Sequence, residues 1–279
     1  MKNKTRAKMK PCIGITMGDP AGIGSEITVK MFAGEDLHSL CIPIVIGSKF
    51  AMENIKDILK QGDLEIYCIN NVSEARQKEG MINLIDLANL REGDFTYGKV
   101  GPLSGRASGE YIAKGIEMAL AGELDALVTN PIHKESFKLG GCGVKYPGHT
   151  EMLADLTKTK DYTMMLATAA LRVVHVSTHV SLKEAVQRVK KARIIKVIKI
   201  ANDACLSLGI EQPKIAVAGL NPHCGEGGLF GNEELEEIIP AVEEARAAGI
   251  NVSGPLPADT IFAKALGGVF DMVVTMIHD

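Results

Sequence analysis

Tryptophan is absent from the 279-residue sequence, and aromatic residues make up only 4% of it. Aliphatic side chains must therefore fill the core. No apolar run approaches the roughly 20 residues that span a bilayer. The Lys-rich start is followed by a short apolar stretch that Gly14, Gly18 and Asp19 interrupt, unlike the continuous apolar region of a signal peptide. The six cysteines lie far apart without C-x-x-C spacing, which is typical of reduced thiols. We expect a cytoplasmic protein that does not act at a membrane.

A strong charge of either sign is also absent. The formal net charge is -3, with 46% hydrophobic and 23% charged residues, an ordinary balance for a globular protein. Nothing in this balance indicates nucleic-acid binding. The length suffices for one large domain or two lobes, but no repeat or low-complexity linker marks a boundary between lobes.

Short β-rich runs alternate with longer helical stretches along the chain. This alternation predicts an α/β protein with a mainly parallel sheet. The predicted strands are Ile13–Met17, Ile42–Ile46, Leu64–Ile69, Ala126–Thr129, Arg172–Ser177, Lys214–Ala218 and Met272–Met276. The clearest predicted helices are Gly109–Ala121, a long and broken one over Leu182–Leu208, and Glu233–Ala248.

Three predicted strands are each followed by a histidine. VVHVSTH ends in His179, IAVAGLNPH ends in His223, and MVVTMIHD places His278 before Asp279. Ligands of open α/β sheets bind at the carboxyl ends of the strands, so these histidines could converge. Three neutral imidazoles with one open position suit a catalytic metal. Each histidine could instead cap its own strand through local hydrogen bonds, an alternative that three repetitions make weaker.

The spacing of His175 and His179 would suggest a zinc protease site if the pair lay on a helix. The surrounding residues are β-branched and the required glutamate is missing, so we reject that interpretation. His175 is interpreted as a buried strand residue, and His38 and His133 are weaker candidates for chemistry.

Glycine-rich and polar turns follow several strands. The turn from Gly18 to Gly24 runs into a helix start at Ser25, and its backbone amides could hold a phosphate or carboxylate. A tight turn without a ligand explains it equally well. Other segments of this kind are Thr129–Lys134, Tyr146–Glu151, in which Thr150 could cap a helix, and the glycine-rich loop Asn221–Gly231.

Together these segments resemble the 4-hydroxythreonine-4-phosphate dehydrogenase (PdxA) family. MGDPAGIGSE, VTNPIHK, YPGHTE, HVSTH, GLNPHCGEGG, GPLPADT and MIHD occur in the family's order, from about Ile13 to the last residue. The resemblance implies one catalytic domain with two lobes like those of isocitrate and isopropylmalate dehydrogenases. It implies a homodimer with active sites at the subunit interface, and NAD as hydride acceptor. The divalent metal (Zn, Mg, Mn or Co) would be bound by the residues matching His179, His223 and His278, and the substrate by those matching His149 and Thr150.

KYPGHTEML, VVHVSTHVSL and LFGNEE are most similar to the branch of D-threonate or D-erythronate 4-phosphate dehydrogenases. The sequence departs from the family at Ile277, where many relatives have Tyr, and at Asp279, beyond which relatives continue with substrate-phosphate and adenine-binding loops. We therefore expect the sequence to be part of a longer natural chain.

The resemblance implies oxidation and decarboxylation of a phosphorylated hydroxy acid. A bound divalent metal would supply Lewis acidity that lowers the pKa of the substrate hydroxyl. Lys134, Asp259 and Asp279 are the candidates for proton transfer, or else support the histidines by hydrogen bonds. The alternatives are a pyridoxal phosphate pathway dehydrogenase, a three-histidine aldolase or hydrolase of sugar phosphates, and a phospholigand-binding protein without turnover.

Overall fold

The structure is a computed structural model that describes residues 10–278. The described residues form two compact units, the first ending at Lys160 and the second beginning at Asp161. Each unit contains one five-stranded sheet. The elements of the first unit are β1 Cys12–Thr16, α1 Gly24–Gly34, α2 Leu37–Leu40, β2 Ile42–Gly47, α3 Lys49–Ile58, β3 Glu65–Cys68, β4 Met81–Asp86, α4 Pro102–Leu120, β5 Ala126–Thr129, α5 Lys134–Leu139, α6 Cys142–Lys145 and α7 His149–Leu156.

In the first unit the strand order is β3-β4-β2-β1-β5, and every pairing is parallel. The apolar residues of β2 and β4 are buried in the core of this unit, as expected for parallel strands covered on both faces. Helix α5 approaches α4 closely at Gly105, where a β-carbon would lie 1.7 Å from the backbone oxygen of Ser136.

The connections of this sheet reverse direction beside β1. The chain moves from β1 to β2 on one side, whereas α4 later carries it from β4 to β5 on the other side. Such a reversal leaves a crevice at the carboxyl ends of the two strands, which is where open α/β sheets bind ligands. Gly18 and Asp19 follow β1 at this edge, and Asn130 follows β5.

The second unit has the strand order β6-β7-β10-β8-β9. Strand β6 is antiparallel to β7, and the other pairings are parallel. Its elements are β6 Met165–Ala167, β7 Arg172–His175, α8 Leu182–Arg188, α9 Lys191–Ser207, β8 Ile215–Ala218, a π-helical turn Glu234–Ile238, α10 Ile239–Ala247, β9 Val252–Leu256, α11 Ala258–Leu266 and β10 Met272–Thr275.

The α/β class and the mainly parallel sheets are confirmed. All seven predicted strands are present, and the long predicted helix is broken between Arg188 and Lys191. Strands β4, β6 and β9 were not predicted. Strand β9 contains Gly254-Pro255, which normally marks a turn, and β6 is a short exposed edge strand. Helix α4 begins at Pro102, before the predicted Gly109, because its glycines serve close packing.

Among residues 10–278, no helix is both long and apolar enough to cross a membrane.

Candidate active-site residues

The three candidate metal ligands follow three neighbouring strands of the second unit. His179 follows β7, His278 follows β10 and His223 follows β8. Strand β10 pairs in parallel with both β7 and β8, so the carboxyl ends of the three strands lie side by side. The sequence predicted only that each histidine follows a strand, and the order of the sheet adds that the three strands are neighbours.

Two of these histidines are close together. The ring centroids of His179 and His278 are 5.6 Å apart. Two imidazoles on one tetrahedral zinc, with Zn–N distances near 2 Å, would have centroids separated by about 5 Å. Both side chains are exposed in the single chain. The chemistry of this pair and the separation of its rings are compatible with a shared metal ion.

His223 lies on a strained loop. His223, Cys224 and Glu226 have φ angles of 54°, 58° and 42°, in the left-handed region that glycine normally occupies. His179 also has a positive φ, of 51°. Within residues 10–278, no three or more His, Cys, Asp or Glu side chains are grouped so that they could hold a metal ion. The structure thus pairs His179 with His278 and does not bring His223 into a group with them.

His175 is the nearest companion of His278. It is buried at 3% exposure on β7, and its ring centroid lies 4.9 Å from that of His278. Its Nδ1 lies 3.4 Å from the backbone oxygen of Met164. Burial lowers the pKa of His175, which the Met164 hydrogen bond partly opposes and the neighbouring His278 and His179 lower further. The buried strand position agrees with the interpretation from sequence.

The glycine-rich turn after β1 is tied to the end of β5. Asp19 accepts a hydrogen bond from the Ala21 amide through Oδ1 and donates its own amide to the Pro131 oxygen. The Asn130 side chain donates to the Gly24 oxygen at 3.2 Å and to Thr28 Oγ1 at 2.8 Å. These contacts make the turn a clamp between β1 and β5, the role that tight turns have without a ligand.

Several buried polar atoms beside this clamp have no hydrogen-bond partner in the structure. They are Thr16 Oγ1, Asp19 Oδ2, Ser25 Oγ and, on α7, His149 Nε2. Buried polar groups are normally paired with protein, water or a ligand. Most of the unpaired buried side-chain atoms described in the first unit thus lie at the carboxyl ends of β1 and β5, and His38 Nδ1 is the other one.

His149 is the first residue of α7, and Gly148 occupies the capping position. Thr150 is therefore inside the helix, and its predicted role as a cap is wrong. The His149 ring bonds to the backbone of Asn130, and burial lowers its pKa while that hydrogen bond opposes the shift. The Thr150 side chain is exposed. This places the His149 imidazole beside the end of β5, where burial favours its neutral form.

The candidates for proton transfer lie at helix starts. Lys134 is the first residue of α5 and is exposed. His133, which precedes it, caps that helix by accepting the amide of Ser136, so a local structural role accounts for it. Asp259 lies in the first turn of α11 and is exposed. Asp279 lies outside the described residues.

One buried carboxylate was not singled out from the sequence. Glu234 is 1% exposed and accepts hydrogen bonds from residues just before His223. The only sequence signal was the pair Glu233-Glu234, interpreted as acids in the first turn of a helix. A buried glutamate cannot be told from an exposed one at that position by pattern alone.

Comparisons with known proteins agree with the motifs. The family described as "Pyridoxal phosphate biosynthetic protein PdxA" matches residues 39–279. A protein of Oceanobacillus iheyensis, named provisionally as a D-threonate 4-phosphate dehydrogenase, is 47% identical over 274 residues, covering 97% of this chain and 81% of its own.

Two solved structures are similar over nearly the whole chain. A 4-hydroxythreonine-4-phosphate dehydrogenase from Burkholderia phymatum has a TM-score of 0.88 and 43% identity, covering 98% of this chain and 82% of its own. One from Klebsiella pneumoniae has a TM-score of 0.91 and 39% identity, covering 97% and 82%.

The parallel α/β units and these relatives define a dehydrogenase that acts on a CH–OH group. Its fold is of the type found in isocitrate dehydrogenases. The chain belongs to the PdxA family.

Proposed function

We propose that the protein oxidises a 4-phosphorylated hydroxy acid, D-threonate 4-phosphate or D-erythronate 4-phosphate, with NAD and with loss of CO2. The name of the 47% identical relative supports this substrate, as do the branch-specific segments around His149 and His179. A 4-hydroxy-L-threonine 4-phosphate dehydrogenase is the second candidate, because the similar solved structures carry that name.

The single observation that carries the proposal is the order β7-β10-β8, because each of these three neighbouring strands is followed by one candidate ligand: His179, His278 or His223. We assign these three histidines to a divalent metal (Zn, Mg, Mn or Co). Such an ion, when bound, supplies Lewis acidity to the substrate hydroxyl. The 5.6 Å separation of the His179 and His278 rings supports the assignment.

We assign His149 and Thr150 to substrate binding. Burial keeps the imidazole of His149 neutral at pH 7, because its pKa is lowered, so the ring can offer one donor and one acceptor. Nε2, which has no partner in the structure, is free to take one. Lys134, Asp259 and Asp279 are assigned to moving the hydroxyl proton or to holding the groups that do.

We further propose a homodimer with active sites at the subunit interface, as the family resemblance implies. Sedimentation of the protein at micromolar concentration tests this arrangement. A dimer is expected, and a monomer with full activity would contradict it.

The activity is tested by supplying the protein with each 4-phosphorylated acid, NAD and a divalent metal. NADH should form together with an equal amount of CO2. Chelation of the metal should abolish NADH formation, and metal should restore it. NADH without CO2 would remove decarboxylation from the proposal. Preference for 4-hydroxy-L-threonine 4-phosphate would favour the second candidate.

A further inference from the structure

A buried carboxylate is hydrogen-bonded to the loop that carries His223. The Glu234 side chain is 1% exposed, and its Oε1 accepts the backbone amides of Leu220 and Asn221, each at 2.7 Å. Its Oε2 accepts the side-chain amide of Asn221 at 2.8 Å. Three donors on two consecutive residues therefore converge on one carboxylate.

The loop above this carboxylate is held in an unfavourable conformation. Five consecutive residues from His223 to Gly227 have positive φ angles, between 42° and 77°, and three of them are not glycine. L-residues in this region cost conformational energy and persist only where surrounding contacts determine them. Strained backbone of this kind is concentrated at functional sites.

The glycines of the loop leave room for the carboxylate. A β-carbon at Gly225 would lie 3.0 Å from Glu234 Oε2, and one at Gly219 would lie 3.3 Å from Oε1. The loop is thus wrapped around Glu234 from Gly219, before His223, to Gly225, after it. Charge-assisted hydrogen bonds are the strong class, and in a buried site they resist exchange with water.

We propose that Glu234 is the positioning residue of His223: its carboxylate holds the left-handed loop and thereby fixes where the His223 imidazole is presented. This inference rests on the proposed role of His223 as a metal ligand. Residues that orient metal ligands commonly change metal affinity by about 10- to 100-fold when they are altered.

The test compares Glu234→Gln with Glu236→Gln. Both changes remove one carboxylate from the same helical turn, but Glu236 is exposed and lies away from the loop contacts given above. Gln cannot accept all three donors, because one of its terminal atoms is itself a donor. The order of the loop is measured by the rate at which a glutamate-specific protease cleaves after Glu226, followed by mass spectrometry.

Cleavage after Glu226 should be about tenfold faster or more in Glu234→Gln, since local opening becomes easier when buried amides lose their acceptor. Cleavage in Glu236→Gln should match the wild type. Affinity for Co²⁺, titrated by its visible absorption, should fall by about 10- to 100-fold only in Glu234→Gln. Unchanged cleavage and unchanged Co²⁺ affinity would overturn the proposal.

Faster cleavage with unchanged Co²⁺ affinity would also overturn it, because Glu234 would then support the loop without positioning a ligand. If the wild type binds no Co²⁺, the proposed function fails at the metal and the inference that rests on it is overturned as well, whereas Co²⁺ binding that is equal in the wild type and Glu234→Gln overturns the inference alone. Should Glu234→Gln not fold, Asn221→Ala takes its place. That variant keeps the Glu234 carboxylate and loses the side-chain donor that Asn221 gives to Glu234 and to Glu233. A smaller increase in cleavage together with weaker Co²⁺ binding supports the proposal, and no change in either overturns it.

Discussion

A β-carbon at Gly18 would lie 2.5 Å from the backbone oxygen of Pro131, so the turn after β1 and the end of β5 meet at a position that only glycine fits. Gly18 also has a φ of +78°. The close approach also positions the next residue, Asp19, whose backbone amide donates a hydrogen bond to the Pro131 oxygen.

Gly18→Ala should therefore lower the free energy of unfolding by about 2 kcal/mol or more, from steric overlap and left-handed strain together. Chemical denaturation measures the loss. Gly22→Ala is the matched control, because its β-carbon would meet nothing closer than 3.4 Å. Equal stability of the two variants would show that the turn is not clamped as described.

Asn130→Asp should destabilise the first unit by about 1–3 kcal/mol, because a carboxylate cannot donate to the buried Gly24 oxygen or to Thr28 Oγ1 and would place negative charge against that oxygen. Thr28→Val should have a smaller effect, since Asn130 keeps its bond to Gly24. Thr28→Ser, which keeps the hydroxyl, is the control. If Asn130→Asp unfolds at the same denaturant concentration as the wild type, these hydrogen bonds do not hold the turn.

His179→Ala, His223→Ala and His278→Ala should each remove bound metal and nearly all turnover, because each deletes one proposed ligand. Metal content after dialysis and NADH formation are the two measurements, and circular dichroism checks that the fold is intact. His133→Asn is the control, since Asn can replace His133 as the cap of α5. Wild-type activity with unchanged metal content in any of the three variants would remove that residue from the site.

The free energy of unfolding should decrease as the pH falls below about 6.5, because His149 and His175 are protonated more readily in the unfolded chain. Burial lowers both pKa values from the ordinary 6.5 in the folded chain, so the unfolded chain takes up protons first. Their contribution is therefore complete above pH 6.5 and is lost as pH falls from 6.5 toward the folded-state pKa. Chemical denaturation above and below pH 6.5 should show a smaller loss of the free energy of unfolding in His149→Gln than in the wild type. An equal loss would show that His149 is not held neutral.

Much of the second unit could be predicted from sequence because its signals are local. The β-branched runs before His179, His223 and His278 identify three strands, and parallel strands share one carboxyl edge. The order β7-β10-β8 could not be predicted, since β10 inserts between two earlier strands. The roles of Glu234 and Asn130 could not be predicted either. Both depend on hydrogen bonds to residues that are distant in sequence, Leu220 for Glu234 and Thr28 for Asn130.

The glycine-rich turn shows the same limit in the first unit. Its composition allowed either anion binding or a tight turn, and the choice depends on whether its groups are used by the protein. Asp19 donates its amide to Pro131, which follows the distant strand β5, and Gly18 packs against the same residue, whereas Asp19 Oδ2 and Ser25 Oγ have no partner in the structure. The protein thus uses some groups of the turn and leaves others for a ligand, a division that composition alone does not show.

The most direct test of the proposed function compares the specificity constant for D-threonate 4-phosphate with that for D-threonate, using the protein with NAD and a divalent metal. Phosphate is a remote group whose binding energy helps to orient the reacting carbon. NADH should form rapidly only with the phosphorylated acid, whose kcat/KM should be at least about a hundredfold higher than that of D-threonate. Equal values for the two acids, or no NADH with any 4-phosphorylated hydroxy acid, would contradict the proposed function.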